Sequence, residues 1–358
     1  LRKRAEGLLQ FLAELDQECS GFIPFQRFMQ EALYHPNYGY YTARIQDVGA
    51  RGDFGTSATI SPRLGKAIAA WIQTRAGELD LSKPLHLIEL GGGNGALAES
   101  VLKSLPWLLR QRLRYHLVEI SPVLCQMQQK RLRRWSQVSW HQKIASATNG
   151  AGGQALIFSN ELVDAFPALW LRRQENAWQE IGVHFQADSG ISEVFRDWQA
   201  GDLTSSTLQV ESYADGQRVE VHQSYRDWLS DWSSTLERGA FLTIDYGGAP
   251  AEIYDRRPGG SLRAYHRQQR LEGPAIYQRF GQQDLTADVN FEDLRTWGEV
   301  LDWRTTAEQT QADWLQQWAP ATSPDAADEM LTQSGGAGDA FRVLEQQRGQ
   351  VGQDSQIP

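Results

Sequence analysis

A doubly wound α/β fold with a mostly parallel sheet is predicted by three observations. Strand-like apolar runs alternate with helical apolar periods from Leu85 to Tyr246. A glycine cluster, Gly91-Gly92-Gly93-Asn94-Gly95, directly follows the first run, Leu85–Leu90. The next run, Arg114-Tyr115-His116-Leu117-Val118-Glu119-Ile120, ends in a carboxylate. Strand, glycine turn and helix, with an acid at the tip of the second strand, is how such a sheet holds an adenosine-containing cofactor.

Taken in order, residues 1–84 read as an N-terminal helical region. Leu8, Leu9, Leu12 and Leu15 share one face of an amphipathic first helix. Glu6, Glu14, Asp16 and Glu18 make this stretch too acidic for a transit peptide. A second helix starts at Ile23-Pro24-Phe25 and reaches Leu33, a turn-rich aromatic stretch covers 35–41, and Leu64, Ile68, Trp71 and Ile72 give 62–77 a helical period. Strands are predicted at 85–90, 115–120, 138–140, 155–159 and 240–246. Helices are expected after the first, second and fourth, and another over 228–236 before the fifth. Between the fourth and fifth strands an insertion at about 169–225 reads as hairpins, with 169–185 and 208–221 strand-like and turn signals at Asp188-Ser189-Gly190 and Asp215-Gly216. Residues 250–288, rich in Gly, Pro, Arg and Tyr, read as a long ordered loop of the kind that carries function. A helix over 325–333 and a final strand over 340–345 complete an α/β domain at 85–348, and the polar tail 349–358 is expected to be disordered.

Composition narrows the function classes. The chain has 358 residues and a formal net charge of −9, enough for one large α/β domain with additions. The acidic balance argues against general nucleic-acid binding. The basic run Lys130-Arg131-Leu132-Arg133-Arg134 reads as a solvated helix face. Cys19 and Cys125 imply no disulfide framework and fit a reducing compartment, a bacterial-type cytosol or a mitochondrial matrix. The seven histidines show no metal-ligand spacing, there is no P-loop signature, and no apolar stretch is long enough to span a bilayer.

The glycine turn admits two readings. Gly91, Gly93 and Ala96 fit G-x-G-x-x-A, the fingerprint of a nicotinamide-dependent oxidoreductase. Glu89, Gly91, Gly93 and Gly95 fit E-x-G-x-G-x-G, which resembles the first motif of class I methyltransferases, binders of S-adenosylmethionine. Glu89 would repel a pyrophosphate and suits a cationic sulfonium. Glu119 is placed to accept hydrogen bonds from both hydroxyls of a ribose. Ligands of open α/β sheets bind beyond the carboxyl ends of the strands, which brings forward Asn160, Glu161 and Asp164 after the fourth strand and Asp245 after the fifth. If the acceptor is an arginine, two carboxylates such as Glu161 and Asp164 can hold its guanidinium bidentately and aim one nitrogen.

Together with Phe28-Met29-Gln30-Glu31-Ala32-Leu33-Tyr34-His35-Pro36-Asn37-Tyr38-Gly39-Tyr40-Tyr41, Gly52-Asp53-Phe54, Leu262-Arg263-Ala264-Tyr265, Gln283-Asp284-Leu285-Thr286 and Phe341-Arg342-Val343-Leu344, these segments resemble the MidA family of S-adenosylmethionine-dependent methyltransferases. The likeness covers nearly the whole chain. It implies a class I methyltransferase fold (Rossmann-like), S-adenosylmethionine as cofactor, and a protein-arginine acceptor on a core subunit of a complex I-type NADH dehydrogenase. It adds Asp53, Thr56 and Ser57 to the cofactor-binding set. Departures from the family pattern stand at Ala58 and Thr59, at Gly92 and Asn94, near Gln268, and at Asp288 and Asn290. They leave a non-catalytic, cofactor-binding assembly factor as the alternative.

Overall fold

Strands buried on both faces read as continuous apolar runs, and the centre of this molecule is built from such strands. The computed structural model describes residues 2–45, 62–320 and 337–349. The expectations at Asp53, Thr56, Ser57, Ala58 and Thr59, the helix over 325–333 and the tail from 350 onward lie outside the described residues.

After a two-residue β1 (Ile23–Pro24) come β2 (Leu85–Leu90), β3 (Leu113–Val118), β4 (Val138–His141) and β5 (Gln154–Asn160). The insertion carries β6 (Leu169–Gln174), β7 (Ala177–Gln186), β8 (Gly190–Trp198) and β9 (Arg218–Val221). Then follow β10 (Arg238–Gly248), β11 (Arg263–His266), β12 (Gln269–Leu271), β13 (Asp284–Thr286), β14 (Val289–Asn290), β15 (Arg304–Thr310) and β16 (Phe341–Arg348). The main sheet runs β15-β16-β10-β5-β2-β3-β4. Neighbours from β4 through β10 are parallel, and β16 lies antiparallel between β10 and β15. The chain leaves β2 through β3 to β4, then returns on the other side of β2 through β5. That reversal opens a crevice at the carboxyl ends of β2 and β5.

The period of two is visible in the cores. Leu156 and Phe158 of β5 join one core, with Trp71 and Val101 of the helices Arg63–Ala76 and Ala96–Ser104. Ile157 joins the other, with Trp232 of the helix Gln223–Ser233 and Trp303. A third core ties the helix Phe25–Tyr34 to the insertion, where Phe25 and Trp170 have ring centroids 4.8 Å apart. The same core takes in Ala264, Tyr277 and Leu285. The helix Phe25–Tyr34 is thereby held over the carboxyl end of β5, where the Tyr34 hydroxyl donates to Ala165 O at 2.8 Å.

Several elements differ from expectation. After β5 the chain makes only a 3-10 turn, Val163–Ala165: Glu161 is left-handed (φ 53°), and Phe166, the residue before Pro167, is extended (φ −67°, ψ 135°), which stops a helix from continuing. Within 208–221 only β9 is extended, preceded by the 3-10 turn Ser206–Gln209. Residues 250–288 are not an irregular loop: they form the helix Pro250–Tyr254 and the antiparallel sheet β12-β11-β13. Strand β15, Arg-Thr-Thr-Ala-Glu-Gln-Thr, is polar because it is an edge strand, so it gave no apolar run to read. Helix Phe291–Val300 was likewise unforeseen; its cap is Asn290, whose side chain accepts from Glu292 N and Asp293 N. Among the described residues no helix is long and apolar enough to cross a membrane.

Candidate functional site

Strand ends and turns converge on one cavity. Beyond β2, Gly91 (φ 66°), Gly93 (φ 51°) and Gly95 (φ 80°) hold the left-handed conformations that only glycine adopts without strain. Gly95 caps the helix Ala96–Ser104, and a Cβ there would come within 3.3 Å of Gln128. Gln128 is fully buried and ties the site together: its Nε2 donates to Gly93 O at 2.8 Å and to Glu119 Oε2 at 3.2 Å. Ser121 N donates to Glu119 Oε1 at 2.8 Å. A carboxylate has about four lone-pair sites, so Glu119 keeps acceptor capacity for a ligand. Glu89 is held by the Tyr115 hydroxyl, which donates to Oε2 at 2.6 Å. Burial pushes both the Glu89 and Glu119 carboxyls up to about 7.

The cavity has a volume of about 670 Å³. Glu89, Gly91, Gly93, Glu119, Asn160 and Glu161 all line it. Among the described residues its charged lining is Glu89, Glu119, Glu161 and Asp231 against Lys143. Such a surplus of carboxylates opposes a pyrophosphate and favours a cation, which removes the footing of the nicotinamide reading. On the far side stand residues the sequence did not single out as site residues: Gln30, Tyr34, Tyr41, Phe166, Trp228 and Asp231. Tyr34 and Tyr41 stack with centroids 5.7 Å apart. Tyr34 had a signal in the aromatic run 34–41; Asp231 and Gln128 had none, since their partners are distant in sequence.

Not every expected residue reaches the cavity. Asp245 is 0 % exposed and does not line it. Its Oδ2 accepts from the amides of Leu162 at 3.1 Å, Val163 at 2.7 Å and Asp164 at 3.3 Å, and its Oδ1 from Tyr246 N at 2.9 Å. The expectation that Asp245 faces the acceptor is corrected accordingly: its carboxylate is buried beneath the loop that presents Glu161. Glu161 itself has φ 53°, and its N–H donates to Ile244 O at 2.9 Å. A glutamate in left-handed backbone is uncommon and marks a position fixed by its surroundings. Asn160 Nδ2 donates to Glu161 Oε1 at 3.1 Å. Asp164 is also buried and does not line the cavity, so the two-carboxylate clamp has only Glu161 in the wall. Burial lifts the Asp164 carboxyl to about 6, with the Arg263 charge pulling the other way.

The departures have structural occupations. Asn94 Oδ1 accepts from Ala96 N at 3.2 Å, while Asn290 Nδ2 donates to Ser206 Oγ and Thr207 Oγ1. Asp288 accepts from Arg257 Nη1 at 2.6 Å and Arg263 Nη1 at 2.5 Å. Neither Asn290 nor Asp288 lines the cavity. Among the described residues no group of three or more His, Cys, Asp or Glu side chains is arranged to hold a metal ion.

Comparison with known proteins gives the same picture. A family described as "Putative S-adenosyl-L-methionine-dependent methyltransferase" matches residues 67–308. A protein of Danio rerio named "Protein arginine methyltransferase NDUFAF7, mitochondrial" is 30% identical over 302 residues, covering 77% of this chain and 68% of that protein. Its Drosophila melanogaster homolog is 28% identical over 307 residues, covering 77% of this chain and 66% of that one. The chain thus spans about two thirds of the length of these curated relatives. A COG1565 superfamily protein of Burkholderia thailandensis, solved with S-adenosyl-homocysteine bound, superposes with a TM-score of 0.81 at 25% identity, over 98% of this chain and 94% of that one.

Proposed function

The chain belongs to this family of S-adenosyl-L-methionine-dependent methyltransferases, and we propose that it methylates a protein arginine, on a core subunit of a complex I-type dehydrogenase whose assembly it supports. The observation that carries this reading is the acidic lining of the cavity, with Glu161 presented in its wall. The cofactor is S-adenosylmethionine, which supplies an electrophilic methyl on a sulfonium. Residues present here fit it: Glu119 has spare acceptor capacity for ribose hydroxyls, and Glu89 adds negative potential beside the glycine turn.

Glu161 has the acceptor's side of the work. A guanidinium is protonated at neutral pH and is a poor nucleophile. A carboxylate in the wall accepts its N–H bonds, draws the positive charge to the nitrogens it contacts, and leaves the remaining nitrogen richer in electrons and oriented towards the methyl group. Asn160, hydrogen-bonded to Glu161, fixes the rotamer of that carboxylate. Asp245 fixes the backbone it stands on. Phe166 and Trp228, also in the wall, exclude water and offer aromatic faces to a cation. Asp164, behind the wall, contributes negative potential rather than a contact.

The test separates donor binding from transfer. Glu161→Gln is expected to lower arginine methylation by at least about a hundredfold, as for loss of a positioning contact, with the S-adenosylmethionine Kd within about twofold. Undiminished methylation by that variant would remove Glu161 from the reaction.

A further inference from the structure

Three connections of the main sheet meet at the end opposite the cavity. The segment 77–84 leads into β2, the helix Trp107–Arg112 into β3, and residues 130–137, which close the helix Pro122–Leu132, into β4. These strands are parallel neighbours in that order, so the three connections lie side by side at their amino ends. Contacts join them. Arg112 Nη2 donates to Leu81 O and, at 2.8 Å, to Lys83 O. The Arg110 and Arg134 guanidiniums lie 5.5 and 5.2 Å from the centre of the Trp135 ring.

This end is basic in a chain that carries −9. Between Lys103 and Arg134 the sequence holds one acid, Glu119, and it lines the cavity at the other end. Glu99 serves Lys103, Arg131 and Arg134 together. Arg110 and Arg112 donate to backbone carbonyls. Among the described residues, Arg110, Arg112, Arg114, Lys130 and Arg133 form no ion pair with a carboxylate. In the segment 77–84, Glu78 pairs with Arg75 and Asp80 stands near Lys83, so no acid there offsets the excess.

Exposed apolar side chains stand among these cations. Trp107 is 62 % exposed, Leu108 73 % and Leu81 61 %. In the helix Trp107–Arg112 it is Leu109 that packs on the core. At about 3.6 residues per turn, Trp107 then points away from the core, with Arg110 on one flank and Leu108 beside Arg112 on the other. Cations around an exposed tryptophan and two leucines make a surface suited to the headgroup level of a bilayer.

We infer that this end of the sheet docks on a bilayer of anionic phospholipid, with Trp107, Leu108 and Leu81 among the headgroups and Arg112, Lys130 and Arg133 on the phosphates. Other occupants fit less well. A two-fold contact with a second copy would set the same arginines against each other. Single-stranded nucleic acid is gripped by rows of aromatic rings, whereas the ring exposed here, Trp107, stands beside two aliphatic side chains. Docking at the amino ends of the strands leaves the cavity, at their carboxyl ends, facing away from the lipid and open to a protein substrate. The inference does not depend on which residue of that substrate is methylated.

Co-sedimentation of the full chain with vesicles tests it. Vesicles rich in phosphatidylglycerol are expected to carry the chain down, pure phosphatidylcholine vesicles are not, and rising salt should weaken the binding. Lys130→Glu/Arg133→Glu and, separately, Trp107→Ser/Leu108→Ser should each lower the partition coefficient at least about tenfold. All four side chains are exposed, and unchanged S-adenosylmethionine affinity in both variants certifies their folding. Equal partition onto neutral vesicles overturns the proposal, as does undiminished binding by either variant. Tighter binding of a single-stranded oligonucleotide or of polyglutamate than of the vesicles overturns it in favour of a soluble polyanion. A dimer of the free chain that Trp107→Ser/Leu108→Ser dissolves overturns it in favour of a second copy.

Discussion

At the scale of single residues, Glu119 links cofactor binding to pH. Its carboxyl is raised to about 7 by burial, so the free protein holds it partly protonated at neutral pH. Ribose hydroxyls donate to the ionised form, so binding should tighten as pH rises. From about pH 6 to about pH 8 the S-adenosylmethionine Kd is expected to fall by up to about tenfold in a calorimetric titration. A flat profile would mean that Glu119 is not the group that binds. Asp245 has a different job. Asp245→Ala leaves two buried amides and a part-buried one without their acceptor, and a loss of at least about 2 kcal/mol in urea unfolding is expected. Asp245→Asn keeps an acceptor oxygen and should cost less. Equal stability of wild type and the alanine variant would contradict the positioning role.

At the scale of elements, the strands β2, β3 and β4 carry a histidine ladder. His86 Nδ1 lies 2.9 Å from His116 Nε2, and His116 Nδ1 lies 3.0 Å from His141 Nε2. Burial lowers all three, His116 to about 4, and nearby Arg114 adds to the effect on His86 and His116. A depressed histidine is neutral in the fold and binds protons more readily when unfolded. The ladder's contribution to stability is therefore full at neutral pH and is lost as pH falls from about 6.5 towards about 4. Glu89, Glu119 and Asp284, raised to about 7, act in the opposite sense, since their folded forms hold protons more tightly. The difference between wild type and His116→Gln isolates the ladder: the gap in melting temperature should narrow or reverse as pH drops through that window. Parallel pH profiles would contradict it. The turn after β5 is the other telling element. Its residues Asn160 to Phe166 read as a helix start in sequence, but left-handed Glu161 and extended Phe166 before Pro167 limit it to one 3-10 turn, whose amides Asp245 of β10 accepts.

At the scale of the whole molecule, the parallel sheet and its switch point were legible because buried strands and a glycine turn leave local marks. Leu85–Leu90, Gly91 to Gly95 and Glu119 lie within one stretch of chain, and the site they form was readable there. Gln128, Tyr41 and Asp231 were not picked out, since each enters the site through packing between elements far apart in sequence. The polar edge strand β15 was hidden because edge exposure removes the apolar pattern. The clamp of Glu161 and Asp164 shows the converse error. Adjacency in sequence suggested a pair, but the left-handed turn at Glu161 sends one carboxyl to the cavity wall and leaves the other buried behind it.

The central claim is that this acidic cavity delivers a methyl group to a protein arginine. The most direct test supplies S-adenosylmethionine with a deuterated methyl to an extract from cells lacking this protein, with the purified chain added back. Mass spectrometry then locates the label. Deuterated methyl is expected on an arginine of a dehydrogenase subunit with the wild-type chain and none with Glu161→Gln. Label on a different residue type, or no label from a chain that binds S-adenosylmethionine tightly, would contradict it.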